Sequence, residues 1–354
     1  MTYRVVQWST GNLGRAAIEG IVAHPELELV GVWVHSESKD GVDAGELAGI
    51  DPLGIRASRD IDALLALAPD CILYSPLFPK VAEIEHFLSA GINVVTPLGW
   101  FYTKHMNVEG LEKACQQGHS TLHGTGIHPG GMTERIPLMV SSFSQKIGRV
   151  RAEEYSDCRT YGAPDVLRDY MMFGKDLDEA RKSPMTDLLR DGFYQSIDMI
   201  ADEMGFRLDP EKKSSHEVFA ATAPIETPIG PILPGQLAAQ RFAWEGTVDG
   251  EVVITAAVNW YMGHSNIDPK WSIGEGGERY ELEIAGDPPI TAVFHGIHPT
   301  SDAVLEEVQN RNPGIVSTAN HCVSSIPYVC NADEGIKSYL DLPLIAGRAR
   351  LDLT

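Results

Sequence analysis

The sequence predicts an α/β protein: an N-terminal doubly wound parallel sheet followed by a second α+β domain built on a mainly antiparallel sheet. Three observations carry that reading. Nearly continuous apolar runs alternate with helix-like segments over the first 130 residues, the mark of parallel strands covered on both faces. From residue 217 onward, strand-like runs follow one another with few helices between them, as in an antiparallel sheet. And 354 residues exceed the usual domain of roughly 100–200 residues.

The first domain offers five strands: TYRVVQW, LELVGVWV (27–34), CILYSP (71–76), INVVTP (92–97) and STLHGTG (120–126). Helices lie between several of them. One runs from Leu13 to Val22 and stops at His24-Pro25. Another follows Pro79, a good first helical residue, through KVAEIEHFLSAG, and a third, VEGLEKACQQG, closes at Gly118. After Gly131 the pattern changes. GMTERIPLMVSSFSQ reads as a helix, and RVRAEEYSDC alternates like a strand. A helical stretch from about Asp165 to Phe206 repeats Leu188, Leu189, Phe193, Ile197 and Ile200 at three- and four-residue spacing. The strands EVFAATAPI, QRFAWEGTV, EVVITAAVNWYM, RYELEIAG and ITAVFHGI follow, with Asp249-Gly250 as a hairpin signal. Two helix-like segments, SDAVLEEVQ and IVSTANHCVSSIPYVC, come last. The expected division is therefore 1–130, with 304–354 packing back on it, and 131–303. A sheet with helices on one face needs a cover for the other, and a homodimer interface supplies one.

Charge narrows the function. Lys plus Arg number 28 against 49 Asp plus Glu, a formal charge of −21. Such a surface repels nucleic-acid backbones and anionic membranes. A small anionic cofactor needs only local donors. The five cysteines are odd in number, widely spaced and without a CxxC, against a disulfide framework or a zinc site. His295 and His298 stand at i, i+3 with no third ligand, so no metal is expected. No apolar run approaches the ~18 residues of a membrane span, and the chain opens almost directly on a strand. A cytoplasmic protein acting on small molecules is the expectation.

QWSTGNLGR (7–15) joins the first strand to the first helix. Two incidental glycines in a strand–helix turn would look the same, but the position is the one a dinucleotide loop requires. Ser9, Thr10, Gly11, Asn12, Leu13 and Gly14 then surround pyrophosphate: Gly11 for close approach, Gly14 for helix–strand packing, and the amides of Asn12 and Leu13 as donors. An NAD site usually places an acid about 20 residues on. Here the second strand ends VWVHSESK, with no carboxylate at its tip, and Ser36 and Lys39 suit the 2′-phosphate of NADP(H). NAD(H) is the alternative. Further cofactor contacts are expected from the ends of later strands: Ser75, Pro76, Thr96, Pro97, His128 and Pro129.

STGNLGR, GTGIHPGG (124–131) and VSSIPYV…GIKSYLDLP (323–343) resemble the dihydrodipicolinate reductase-like oxidoreductases. Within them the resemblance is to the 2,4-diaminopentanoate dehydrogenase and native amine dehydrogenase branch. It implies an NAD(P)-binding Rossmann domain, a second α+β domain, and hydride transfer to an imine formed from a carbonyl compound and ammonia, or the reverse. It also implies a homodimer. The histidine-rich run, lysine and Ser-Gly loop of dihydrodipicolinate reductases proper are absent. So is the glutamate that the amine dehydrogenases carry shortly after the NVV strand: NVVTPLGWFYTKH has Gly99, Trp100 and Phe101 there, and the next acid is Glu109. A carboxylate would hold a cationic iminium. Its absence leaves two other readings open: a carbonyl or other double-bond reductase without ammonia, and a non-catalytic NADP-binding regulator.

Tyr102 and His128 are the candidate proton donors. Trp100, Tyr161, Tyr170, Phe173 and His264 are the candidate substrate pocket, with Met171, Met172 and Trp260 as apolar neighbours. Along RVRAEEYSDC, Glu154 and Tyr155 point to opposite faces.

Overall fold

The computed structural model describes residues 2–274, 277–297, 305–308 and 311–349. The chain forms two compact units, Met1–Gly130 with Ile315–Thr354, and Gly131–Gly314.

The first unit carries β1 (Tyr3–Trp8), β2 (Leu27–Trp33), β3 (Cys71–Tyr74), β4 (Asn93–Thr96) and β5 (Thr121–Gly124). The second carries β6 (Gln145–Asp157), β7 (Lys213–Ala220), β8 (Leu237–Val248), β9 (Glu251–Tyr261), β10 (Arg279–Asp287) and β11 (Ile290–His295). The chain then returns to the first unit for β12 (Gly335–Lys337).

In the first unit the strand order is β12-β5-β4-β3-β1-β2, and every pair is parallel. Apolar side chains alternate to both faces, so each face needs helices. On one, the helix Asn12–Ala23 buries Ala17, Ile18 and Ile21 beside Cys322, Val323 and Ile326 of the helix Pro313–Cys330. Those two helices approach closely because residue 20 is glycine: a Cβ there would stand 3.0 Å from Asn320 Oδ1 and 3.2 Å from a Val323 methyl. On the other face, Ile84, Phe87 and Leu88 join Leu111, Ala114 and Cys115. They come from the helices Val81–Ser89 and Glu109–Gly118.

In the second unit the order is β11-β10-β6-β9-β8-β7, antiparallel except for the parallel pair β6–β9. The turn between β8 and β9 has Asp249 and Gly250 at positive φ (52° and 84°), the conformation a two-residue hairpin loop needs. Asp209 accepts from both of their amides. The helix Met185–Met204 covers one face, stacking Phe193 on Trp244 at 4.3 Å.

Several sequence-expected helices differ in extent. The stretch from Asp165 to Phe206 is broken into a π-type turn at Val166–Tyr170, a short helix Leu177–Ala180 and the long helix Met185–Met204. Met172 and Gly174 at positive φ and Pro184 interrupt it. GMTERIPLMVSSFSQ is a π-type turn, Gly131–Arg135, continued by the helix Ile136–Ser141. SDAVLEEVQ is described only at Leu305–Val308, and His298 also lies outside the described residues. Among the described residues no helix is long and apolar enough to cross a membrane.

Candidate functional site

The glycine loop grows directly out of the core. Trp8 is the last residue of β1 and fully buried, stacked on Trp33 at 4.8 Å and edge-on to Phe87. It ends the strand as a core residue, which is why no glycine is needed there. Gln7, also buried, donates from Nε2 to Ser9 O at 3.0 Å and to Ser75 Oγ at 2.9 Å. This fastens the loop to the end of β3. Ser9 then turns the chain at φ 86°.

Gly11 and Gly14 do different things. A Cβ on Gly14 would lie 2.1 Å from Ser9 O, so only glycine lets the helix start this close to the strand. A Cβ on Gly11 would meet nothing within 4 Å. Gly11 is the N-cap of the helix Asn12–Ala23, and no side chain caps it. The first amides of that twelve-residue helix therefore lack an intrahelical acceptor and a side-chain N-cap, and the space beside Gly11 is open. An anion such as pyrophosphate fits that cradle. Lys39, in the turn Glu37–Lys39 after β2, reaches back to the loop, donating from Nζ to Thr10 O at 3.2 Å and Oγ1 at 3.1 Å. Ser36 is exposed beside it.

At the other strand ends, Thr96 is fully buried and its backbone O accepts from the Thr125 amide at 2.9 Å. Pro76, Pro97, His128 and Pro129 are half-buried, and Gly130, at φ 127°, folds tightly onto Gly126. The segment after β4 packs inward. The Gly99–Trp100 backbone lies where a Cβ on Gly124 would stand, 2.0 Å from Gly99 O. Trp100 and Phe101 are buried, and Trp100 belongs to the core cluster around Trp8 and Tyr74. The sequence reading put Trp100 in a substrate pocket; here it is part of the first unit's core. Tyr102 is half-buried, with its ring 6.4 Å from that of His105.

In the second unit, Phe173 sits in one apolar cluster with Cys158, Leu167 and Met171, and Tyr161, Met172 and Trp260 pack against it. Tyr170 is half-buried in the adjoining turn. His264 is exposed just beyond β9, its ring 5.2 Å from Tyr261.

Three carboxyl groups of this unit were not singled out as site residues by sequence. Glu154 of β6 accepts from Trp260 Nε1 at 3.3 Å, and burial pushes its pKa up to about 7. Glu278, just before β10, is raised to about 8 by burial and then by the nearby charges of Glu154 and Asp157. Glu134, fully buried in the π-type turn, takes a 2.5 Å hydrogen bond from Ser196 Oγ on Oε1, and burial raises it to about 8. Asp157 differs: Arg159 grips it, Nε to Oδ1 at 2.9 Å and Nη2 to Oδ2 at 2.5 Å. A signal for Glu154 existed. It follows Val150 and Ala152 on the buried face of an alternating strand, where a carboxylate is out of place.

An uncapped glycine turn at the first strand of a parallel sheet, in a chain that also carries a separate α+β unit, fits a class: the two-unit nicotinamide-dependent oxidoreductases. Comparison with known proteins narrows it. Residues 133–350 match the 2,4-diaminopentanoate dehydrogenase C-terminal domain. An amine dehydrogenase of Streptomyces virginiae is 30% identical over 98% of each chain. A 2,4-diaminopentanoate dehydrogenase of Acetoanaerobium sticklandii is 26% identical over 66% of this chain and 60% of its own. Among solved structures, an amine dehydrogenase from Mycobacterium smegmatis superposes with a TM-score of 0.76 over 98% of each chain at 20% identity, a likeness of fold. The chain belongs to the 2,4-diaminopentanoate dehydrogenase family and is an NAD(P)-dependent, amine dehydrogenase-like oxidoreductase. The family resemblance, the fold class and the enzyme class expected from sequence agree with this.

Proposed function

We propose that this protein interconverts a small ketone or aldehyde plus ammonia with the corresponding primary amine, preferring NADP(H), as a cytoplasmic homodimer. The similarity to an amine dehydrogenase along the whole chain carries the reaction. When bound, the nicotinamide supplies or takes the hydride; the protein positions it and manages charge. The glycine-loop residues Ser9–Gly14 hold the pyrophosphate, and Ser75, Pro76, Thr96, Pro97, His128 and Pro129 border the rest of the cofactor. Tyr102 and His128 remain the proton donors of that reading. The sheet face opposite the helix Met185–Met204 supports the dimer: there Arg151, Glu153, Arg241 and Glu281 form an ion-pair network across the strands.

Reaction is tested by following NADPH consumption with a panel of ketones and aldehydes, with and without ammonium. Turnover that requires ammonium is expected. Turnover unaffected by ammonium would place the protein with the carbonyl reductases instead. Cofactor preference rests on Lys39, whose ammonium is held at the loop and can reach a 2′-phosphate. Lys39→Ala should weaken NADPH about tenfold, the loss of roughly 1.4 kcal/mol, and NADH hardly at all. Equal losses for the two would reject the phosphate site.

A further inference from the structure

The loop after β4 offers no carboxylate for a cationic nitrogen, yet the second unit buries carboxyl groups that no cation neutralises. We propose that Glu154 is the anionic anchor of a primary-ammonium or iminium site at the end of the mixed sheet, with Glu278 as its positioning residue. This rests on the amine-dehydrogenase reading and names the group that recognises its substrate.

The geometry comes from register. Glu154 lies opposite Tyr280 on β10 and opposite Val258 on β9. Two residues beyond Val258 stands Trp260, whose indole donates to the Glu154 carboxylate. Tyr161 and Met172 belong with Trp260 to the same apolar cluster. Glu154 is half-buried there, so its carboxylate stands among aromatic and thioether side chains without being sealed off. Aromatic faces and a carboxylate together favour a cation with an apolar tail.

The second observation is Glu278. Its residue is 5% exposed, no well-formed hydrogen bond from the described residues reaches either carboxylate oxygen, and only the backbone of Asp157 and Gly314 offers it weak polar contact. Glu278 lies two residues before Tyr280, the register partner of Glu154, and the charge of Glu154 adds to burial in raising it. The Tyr261 hydroxyl, in a fully buried residue close enough to feel Asp157 and Glu278, is also without a partner. The nearby cations are committed elsewhere: Arg159 to Asp157, and Arg279 to Glu281 while lying over the Tyr155 ring. Among the described residues no Lys or Arg pairs with Glu154 or Glu278. Cys158, Tyr161 and Tyr280, the other titratable groups coupled to Glu154, are all pushed further toward their neutral forms by burial. A buried carboxyl near a half-buried one, with no Lys or Arg paired to either among the described residues, favours the protonated form until a cation arrives. An ammonium group supplies both the charge and the donors.

The test compares cyclohexylammonium chloride with cyclohexanol by titration calorimetry of the full chain between pH 6 and pH 9. The amine is cationic throughout that range. As the carboxyls ionise, ammonium affinity should rise about tenfold or more, close to one unit of linked titration, while cyclohexanol affinity stays flat. Around pH 7 ammonium binding should release protons, read as a heat that varies with the buffer's ionisation enthalpy. Glu154→Gln should abolish both effects and leave NAD(P)H affinity unchanged; Glu278→Gln should shift the pH midpoint while keeping the ammonium preference. Equal binding of amine and alcohol at every pH, no binding of either by the wild type, or a Glu154→Gln protein that keeps the pH dependence would each overturn the proposal. If the variant does not fold, the wild-type comparison and proton release still decide. Ammonium binding at Glu154 without turnover of any amine would sink the reaction reading and spare the site. Amine turnover undiminished in Glu154→Gln would do the reverse.

Discussion

Gly11→Asp is expected to leave the protein folded and to remove its affinity for NAD(P)H. The position tolerates a side chain: φ is −70°, an ordinary value, and no atom lies within 4 Å of a Cβ there. Asp is moreover a favoured N-cap, worth roughly a few tenths of a kcal/mol over Gly, and the helix lacks a side-chain cap. Thermal stability should therefore hold or rise. The new carboxylate would occupy the amides on which the pyrophosphate reading depends and set a negative charge beside two phosphates. A loss of about a hundredfold or more, roughly 2.7 kcal/mol, is expected in a fluorescence titration with NADPH. Unchanged affinity in a folded variant would remove the loop from the cofactor site. Gly14 offers no such clean test, because a Cβ there collides with Ser9 O and fold and binding would fail together.

The second large effect concerns pH. Glu134 has a folded pKa of about 8 against an ordinary value of 4.5. The folded protein therefore holds a proton that the unfolded chain has released over that interval. Linkage then makes stability fall as pH rises from about 4.5 to about 8, with the full deficit remaining above it. The cost at pH 9 is on the order of a few kcal/mol. Glu134→Gln keeps an acceptor for Ser196 but never ionises. Its amide group brings a donor to the place of Oε2, which has no partner, and that costs about 1–3 kcal/mol at every pH. The difference in slope is the readout: the variant should lose much less stability than the wild type between pH 5 and pH 9 in denaturant melts. Parallel profiles would show that Glu134 is ionised, or hydrated, in the folded protein.

What the sequence disclosed depended on whether the cause was local. The glycine turn, the Asp249-Gly250 hairpin and the apolar periodicity of Phe193, Ile197 and Ile200 arise from neighbours within a few residues, and each could be read directly. The family motifs led to the oxidoreductase class for the same reason: they are contiguous. The burial of Trp100 was not legible, because an aromatic after a strand looks the same whether it lines a pocket or fills a core. Only Gly124, at the end of the next strand, shows that the segment folds inward. Glu154 needed cross-strand register with Tyr280 and a bond from Trp260, more than a hundred residues away. No pattern along one strand reveals that Glu154 and Glu278, far apart in sequence, lie in or next to paired strands with no Lys or Arg partner among the described residues. The π-type turn carrying Glu134 was read as plain helix, since its residues have the same apolar spacing.

The return of the chain to its first unit has a consequence for how the molecule comes into being. The helix Pro313–Cys330 supplies Ala319, Cys322, Val323 and Ile326 to a core begun by Ile18 and Ile21, and β12 pairs with β5. A ribosome emits the chain in order, so the first unit waits half-built, one face of its sheet only partly covered, while the whole of the second unit is synthesised and free to fold. Maturation of the first unit is therefore a late event, and any nascent chain stalled before residue 313 would leave part of that apolar face for chaperones to cover.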